Sequence, residues 1–297
     1  MMTNSTTNKK KNKVIAIVGA TASGKTSYAI NLAKEIGGEI VSADSRLVYK
    51  GFDIACAKPT LEEQDGVPHY MMDIVEPEFD YSAGLYEQDA KRIVYDILSR
   101  GKTPIVAGGT GLYFRVLLEN FDLPKVEGDF EYRKKMGEYD KTELFEILKK
   151  QDPISAERIE QNDKKKIIRA LEVLHLTGKP MSENQGIKEP EFDVEWIGCN
   201  FPREVLYERI NRRVDLMFEN GIIEETQNLI KKHGRIGNIV DSIGYKEVLA
   251  YLDGVYTLEE AKDKLKQNSR NYAKRQLTWF RKNPNIKWTH YPEKLKK

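Results

Sequence analysis

The chain has 297 residues, 32% of them charged, and a net charge of +2 at pH 7, which suits one large α/β domain with a smaller insertion. No apolar stretch approaches the roughly 20 residues that cross a bilayer, and the near-neutral balance provides no global field for nucleic acid. Cys56 and Cys199 lie far apart, and His69, His175, His233 and His290 are scattered. Neither a disulfide framework nor a structural zinc site is therefore expected, and a reducing cytoplasm is the expected location.

Residues 1–13 are polar and end in Lys9, Lys10, Lys11 and Lys13, a pattern that predicts a disordered basic tail and not a signal peptide. The apolar run at 14–18 reads as a buried strand. It leads into Gly19-Ala20-Thr21-Ala22-Ser23-Gly24-Lys25-Thr26, a complete G-x-x-x-x-G-K-T phosphate-binding loop. Ala29, Leu32, Ala33 and Ile36 then repeat at helical spacing until Gly37-Gly38. Strand, glycine loop and helix start are the context this motif requires. Glycines let the backbone wrap an anion, and N–H groups at the helix N-terminus point at it. Lys25 adds a point charge, and the Thr26 hydroxyl is placed to hold Mg2+. The chain is expected to bind a di- or triphosphate.

A second short strand is predicted at 39–43, ending at Asp44. Ser82 can cap a helix lined by Tyr86, Ala90, Ile93, Val94 and Ile97 and stopped by Gly101. The next buried strand, 103–107, runs into Gly108-Gly109-Thr110-Gly111. This alternation implies a parallel sheet with helices on both faces. From about residue 120 strand signals vanish, and helices are expected over 129–139, 142–151, 154–161 and 164–176. Strand character returns at 194–199. Pro202 then opens a helix with Leu206, Ile210, Val214 and Met217 as its stripe and Gly221 as its stop. Thr257 with Glu260 makes a capping box for a helix reaching about Lys282, before a last strand at 286–289.

Asp44 falls at the C-terminal end of its strand, the edge where ligands bind in open α/β sheets. A carboxylate there can ligate Mg2+, orient water or accept a proton; the alternative is a cap for the turn at Ser45 and Arg46. Thr110 lies on the same edge, with a hydroxyl for substrate or for the turn. Arg209 and Arg213, four apart on one helix face, can clamp a diphosphate or pair with surface acids such as Glu208 and Asp215. Two basic clusters, Lys164-Lys165-Lys166 with Arg169 and the stretch from Lys262 to Lys282, read as solvated faces or anion contacts. From these residues a phosphotransferase acting on a small acceptor, an enzyme acting on nucleic acid and a non-catalytic ATP-binding module all remain open, because the loop specifies the anion and not its use.

Longer landmarks narrow the choice. Besides the phosphate loop, they are Asp44-Ser-Arg-Leu-Val-Tyr-Lys-Gly-Phe-Asp-Ile54 with Ala57-Lys58-Pro59, Val67-Pro-His-Tyr-Met-Met-Asp73, Tyr81-Ser-Ala83 and Val106-Ala-Gly-Gly-Thr-Gly-Leu-Tyr-Phe114. Ile168-Arg-Ala-Leu-Glu-Val173, Arg209-Ile-Asn-Arg-Arg-Val214, Ser242-Ile-Gly-Tyr245 and Ala273-Lys-Arg-Gln-Leu-Thr-Trp279 follow. In this collinear series the chain resembles the tRNA dimethylallyltransferases. Ala55-Cys56 stands where the family usually has Gly-Thr, and Arg46-Leu47 replaces a commoner Met-Gln or Arg-Gln pair. The absence of the zinc-finger tail of eukaryotic relatives suits the bacterial form.

The resemblance implies an α/β core of the P-loop kinase-like class over 14–119 and 194–297. It also implies an all-helical insertion over 120–193 that binds the tRNA anticodon stem-loop. The implied reaction is Mg2+-dependent transfer of a dimethylallyl group from dimethylallyl diphosphate to N6 of adenosine 37, by a monomer. Asp44, Thr110, Arg209 and Arg213 take the catalytic roles, with Asp44 receiving the N6 proton. Gly19 to Thr26 hold the diphosphate, with Thr26 on the metal. The implied tRNA contacts are Asp44, Ser45, Arg46, Leu47, Thr110, Arg133, Lys165, Lys166, Ile167, Ile168 and Arg169, to which the stretch from Arg270 to Arg275 is added as a phosphate-contact candidate. A prenyltransferase acting on free adenine nucleotides is the near alternative, and a P-loop kinase the distant one.

Overall fold

The computed structural model describes residues 12–124, 126–184, 186–187 and 189–290. It has two compact units, one of the described residues up to Leu118 with those from Glu191 onward, the other Glu119–Pro190. The first unit opens with β1 (Asn12–Gly19), α1 (Lys25–Ile36), β2 (Glu39–Ala43), α2 (Leu61–Gln64), β3 (His69–Tyr70), α3 (Ala83–Ser99), β4 (Pro104–Gly108) and α4 (Gly111–Leu118). The second holds β5 (Phe121–Asp122), α5 (Phe130–Gly137), α6 (Lys141–Gln151), α7 (Pro153–Arg158), α8 (Lys164–Thr177) and β6 (Gly186–Ile187). The first then resumes with β7 (Phe192–Asn200), α9 (Arg203–Glu219), α10 (Ile222–His233), α11 (Gly237–Val240), α12 (Tyr245–Leu252), α13 (Leu258–Phe280) and β8 (Lys287–His290).

In the first unit six parallel strands form one sheet in the order β3-β2-β4-β1-β7-β8. Every residue from Val14 to Gly19 is buried, as expected where helices cover both faces of a parallel sheet. The register sets the site. Val18 lies beside Gly108, and Gly108 beside Ala43. The loops after β1, β2 and β4 therefore leave the sheet at one level and on one edge.

Local signals account for most element boundaries. Ser82 accepts a hydrogen bond from the Leu85 N–H at the start of α3, whose Tyr86, Ala90, Val94 and Ile97 are buried. α9 buries the expected Leu206, Ile210, Val214 and Met217, and Thr257 with Glu260 forms the capping box of α13. In α1 the buried face is Ala29, Ile30 and Ala33. Ile36, expected on that face, is 40% exposed at the last helical residue, where Gly37 turns the chain away in the left-handed region.

Of the expected tail, residues 1–11 lie outside the described residues. Asn12 and Lys13 instead extend β1 against Phe192 and Asp193, because β7 is long enough to offer ladder partners beyond the apolar run, and Lys13 pairs with Glu195 at 2.8 Å. The second unit packs α6, α7 and α8 around Leu144, Phe145, Leu148, Ile167, Ala170 and Leu171. Buried Asp152 caps α7 through the Ser155 N–H and accepts from the N–H and hydroxyl of Ser182. The helical expectation gains one element, an antiparallel ribbon pairing Phe121 with Ile187 and Asp122 with Gly186. Two-residue strands are too short to show alternation. Among the described residues no helix is long and apolar enough to cross a membrane.

Candidate active site

The phosphate loop leaves β1 and enters α1 through two left-handed residues, Ala22 (φ 61°) and Gly24 (φ 79°). Glycine takes that conformation freely, whereas a non-glycine residue there carries strain of about 1–3 kcal/mol, typical of functional loops. The Lys25 ammonium donates to the Ala20 carbonyl at 3.2 Å. Burial lowers the Lys25 pKa to about 8; the Asp44 carboxylate opposes that shift and Arg213 adds to it. Burial likewise lowers the Arg213 pKa. The guanidinium of Arg213 donates to the Cys56 carbonyl at 3.2 Å, and its Nε is buried without a hydrogen-bond partner. Two half-buried cations thus face the same space. Partial burial disfavours charge that lacks a close counter-ion, so the arrangement is set up for an anion. Arg209, one turn earlier on α9, donates to the Ala22 carbonyl at 2.9 Å and lies 4.7 Å from the Phe201 ring centre.

Asp44 follows β2 and its Oδ1 accepts from the Arg46 N–H at 2.8 Å. The turn-capping role is therefore real, and it fixes the carboxylate while leaving Oδ2 for a ligand. The Thr110 N–H donates to the Ala43 carbonyl at 3.0 Å, and its hydroxyl accepts from the Ser45 N–H at 3.0 Å. Thr110 is not among the residues facing the cavity; its hydroxyl steadies the turn that carries Asp44.

Lys25, Thr26, Asp44, Ser45, Arg46, Leu47 and Arg213 line one cavity of about 380 Å³. Ile40, Ile210, Val214, Met217, Ile243 and Leu265 supply apolar wall. Lys25, Thr26 and Arg213 also line a neighbouring open pocket with Ala22, Gly24 and Arg209. The cationic groups therefore stand where the two spaces adjoin. Thr26 and Asp44 line the same cavity and carry hard oxygen donors of the kind Mg2+ prefers; the Ser42 hydroxyl is buried without a partner.

The implied RNA contacts divide by environment. Arg133 and Arg169 both bind Glu172, which is fully buried, at 2.8 and 2.5 Å. Burial would raise the Glu172 carboxyl, but these two guanidinium hydrogen bonds and the Asp129 N–H hold it below the usual carboxylate range. Ile167 is fully buried in the second unit's core and Ile168 packs against it. Lys165 and Lys166 are exposed at the start of α8, with Lys166 paired to Asp163 at 2.5 Å. On α13, Arg270 donates to Asn211 at 2.6 Å, whereas Arg275 lines the cavity.

Two residues escaped the sequence reading. Gln276, 5% exposed, bonds to the phosphate loop and to the turn after β4. Its one sequence signal is a polar residue on the buried stripe with Ala273 and Phe280. Glu225 on α10 accepts from the Ile54 and Ala55 N–H groups and from the Tyr245 hydroxyl, holding the loop whose Cys56 carbonyl meets Arg213. Burial pushes the Cys56 thiol well above its ordinary pKa, which disfavours the reactive thiolate.

The family model for IPP transferase matches residues 47–283, and that for isopentenyl transferase matches 12–74. A tRNA dimethylallyltransferase of Caldanaerobacter subterraneus subsp. tengcongensis is 47% identical over 286 residues, spanning 93% of this chain and 91% of that one. Another, from Anoxybacillus flavithermus, is 45% identical over 93% and 89% of the two chains. A crystal structure of the tRNA isopentenylpyrophosphate transferase of Bacillus halodurans superposes with a TM-score of 0.71 at 44% identity, covering 94% of this chain and 90% of that one. A eukaryotic dimethylallyltransferase captured acting on tRNA gives a TM-score of 0.81 at 31% identity, covering 94% and 74%.

Proposed function

The chain belongs to the IPP transferase family, and from that membership we propose that it transfers a dimethylallyl group from dimethylallyl diphosphate to the N6 amine of adenosine 37 in tRNA, releasing diphosphate. The observation that carries this reading is the convergence on one cavity of two half-buried cations, Lys25 and Arg213, and one fixed carboxylate, Asp44. Phosphoryl transfer can use the same cations and a carboxylate; family membership and the apolar wall beside them favour a hydrocarbon group as what is transferred.

In this reading the loop N–H groups, Lys25, Arg209 and Arg213 take the charge that develops on the diphosphate as the allylic C–O bond breaks. The electron pair of that bond leaves with the diphosphate. The N6 lone pair forms the new C–N bond, and the N6 proton passes to Asp44. An adenine amine is a poor nucleophile but becomes strongly acidic once alkylated, so a positioned carboxylate suffices as its proton acceptor. Ile210, Val214, Met217 and Leu265 give the five-carbon group a dry wall, which keeps water from the allylic carbon. Thr26 would hold Mg2+, which supplies further charge neutralisation at the leaving group. The helical unit, with Lys165 and Lys166 exposed, is the proposed seat of the anticodon stem-loop, whose unpaired bases splay most readily. The enzyme would act as a cytoplasmic monomer.

The experiment offers the purified protein dimethylallyl diphosphate with tRNA or with free adenine nucleotides, and ATP with small acceptors. Mass gain of one dimethylallyl group on adenosine 37 is expected. Prenylation of free nucleotide alone, or phosphate transfer from ATP without prenylation, overturns the reading.

A further inference from the structure

The anion loop and the turn bearing Asp44 come from different strands, and a hydrogen-bonded chain joins them: Gln276 of α13 links the loop to the turn after β4, and Thr110 links that turn to the residues beside Asp44. The Oε1 of Gln276 accepts from the Thr21 N–H at 2.8 Å, and its Nε2 donates to the Gly109 carbonyl at 3.0 Å. The next residue, Thr110, bonds to the Ala43 carbonyl and to the Ser45 N–H, flanking Asp44 on both sides. We propose that Gln276 is a positioning residue for the transfer step, keeping the diphosphate cradle and the proton-accepting turn in one register.

The chemistry of the side chain fits this task. A primary amide offers an acceptor and a donor at its two ends, and here each end is used on a different catalytic loop. The approach is close: a Cβ on Gly109 would collide with Nε2 of Gln276, and one on Gly111 would collide with the Trp279 ring. Glycines at both positions thus let α13 seat directly on the turn. Thr21 spends its N–H on Gln276, which anchors the first part of the loop while later N–H groups remain for the anion.

The proposal rests on the transfer reading above. A displacement in which one carbon leaves the diphosphate as the amine arrives tolerates little misalignment, and an error near 1 Å costs on the order of 10²-fold. Loosening this link should therefore lower turnover more than it weakens the binding of either substrate.

The test compares the full-length protein with Gln276→Met, which keeps the volume and loses both bonds, and with Gln276→Glu, which keeps the Thr21 bond and sets a carboxylate against the Gly109 carbonyl. Turnover is measured at saturating dimethylallyl diphosphate and tRNA, and the dissociation constant of each substrate separately. For Gln276→Met a fall in kcat of about 30-fold or more is expected, with both dissociation constants within about threefold. Wild-type kcat in Gln276→Met reduces the side chain to filling and overturns the proposal. So does a normal kcat with the whole loss in substrate binding. If Gln276→Met does not fold, Gln276→Glu carries the same kcat criterion. Absence of tRNA prenylation by the wild-type protein would sink the transfer reading instead, a result distinguishable from either.

Discussion

Binding of the diphosphate donor should take up a proton above pH 8. Burial strips the Lys25 ammonium of water and is the chief reason its pKa is lowered to about 8. A bound diphosphate supplies the missing counter-charge and should return the amine towards its ordinary value near 10.4. A group whose pKa rises on binding favours the complex fully below the lower value and loses that contribution as pH climbs above it. From a shift between these two values, affinity should fall about 30-fold between pH 7 and 9.5, close to 2 kcal/mol. At pH 9 roughly 0.9 proton should enter with each donor bound. The donor's last phosphate ionisation, with a pKa of ~6 as in phosphate monoesters, is about nine-tenths complete at pH 7 and complete above pH 8, so it does not mask the effect. Calorimetric titration of dimethylallyl diphosphate in buffers of different ionisation enthalpy measures both quantities. Lys25→Met should bind weakly with no proton uptake. Constant affinity from pH 7 to 9.5 without uptake would refute the reasoning.

Asp44→Asn should lower turnover on tRNA by at least 10²-fold, a typical loss for a general base, while tRNA affinity stays within a few fold in a filter-binding assay. Glu172→Ala removes the buried acceptor shared by Arg133, Arg169 and the Asp129 N–H, and should destabilise the helical unit by about 1.5–3 kcal/mol in chemical denaturation. Because its carboxyl is held below the usual range, the contribution of Glu172 is present above its unfolded pKa and lost as pH falls through its folded one, so the mutant deficit should shrink in acid. Lys165→Ala with Lys166→Ala should flatten the dependence of log K on log salt by about 0.7–0.9 for each phosphate no longer neutralised. That double variant should leave the unfolding midpoint unchanged. Gly109→Ala should depress kcat as Gln276→Met does, since the added carbon has no room beside the Gln276 amide.

What the sequence revealed of the site were its local parts. The loop from Gly19 to Thr26 declares itself by glycine spacing between a strand and a helix, and Asp44 by its place after an apolar run. Arg209 and Arg213 were visible as a helix pair, but their counterparts were not. The Arg213 partner is a carbonyl 157 residues away, and Gln276 meets Thr21 across 255 residues. Periodicity reports which side of a helix is buried and not what lies against it. For the same reason Arg169 reads in the sequence as part of an exposed basic cluster, and Arg133 enters only through the resemblance. Only the packing of α5 on α8 shows both engaged by Glu172, itself set on an otherwise apolar face.

The ribbon of Phe121–Asp122 with Gly186–Ile187 brings together the two points where the chain enters and leaves the helical unit. A segment clipped at its stem behaves as a closed loop, and closure entropy grows only logarithmically with contour length, about 0.6 kcal/mol per doubling. The loops between its helices can thus lengthen or shorten at small thermodynamic cost, whereas the packed core around Leu144, Leu148 and Ile167 cannot. An engineer reshaping this module therefore has the connecting loops to work with before the helices themselves.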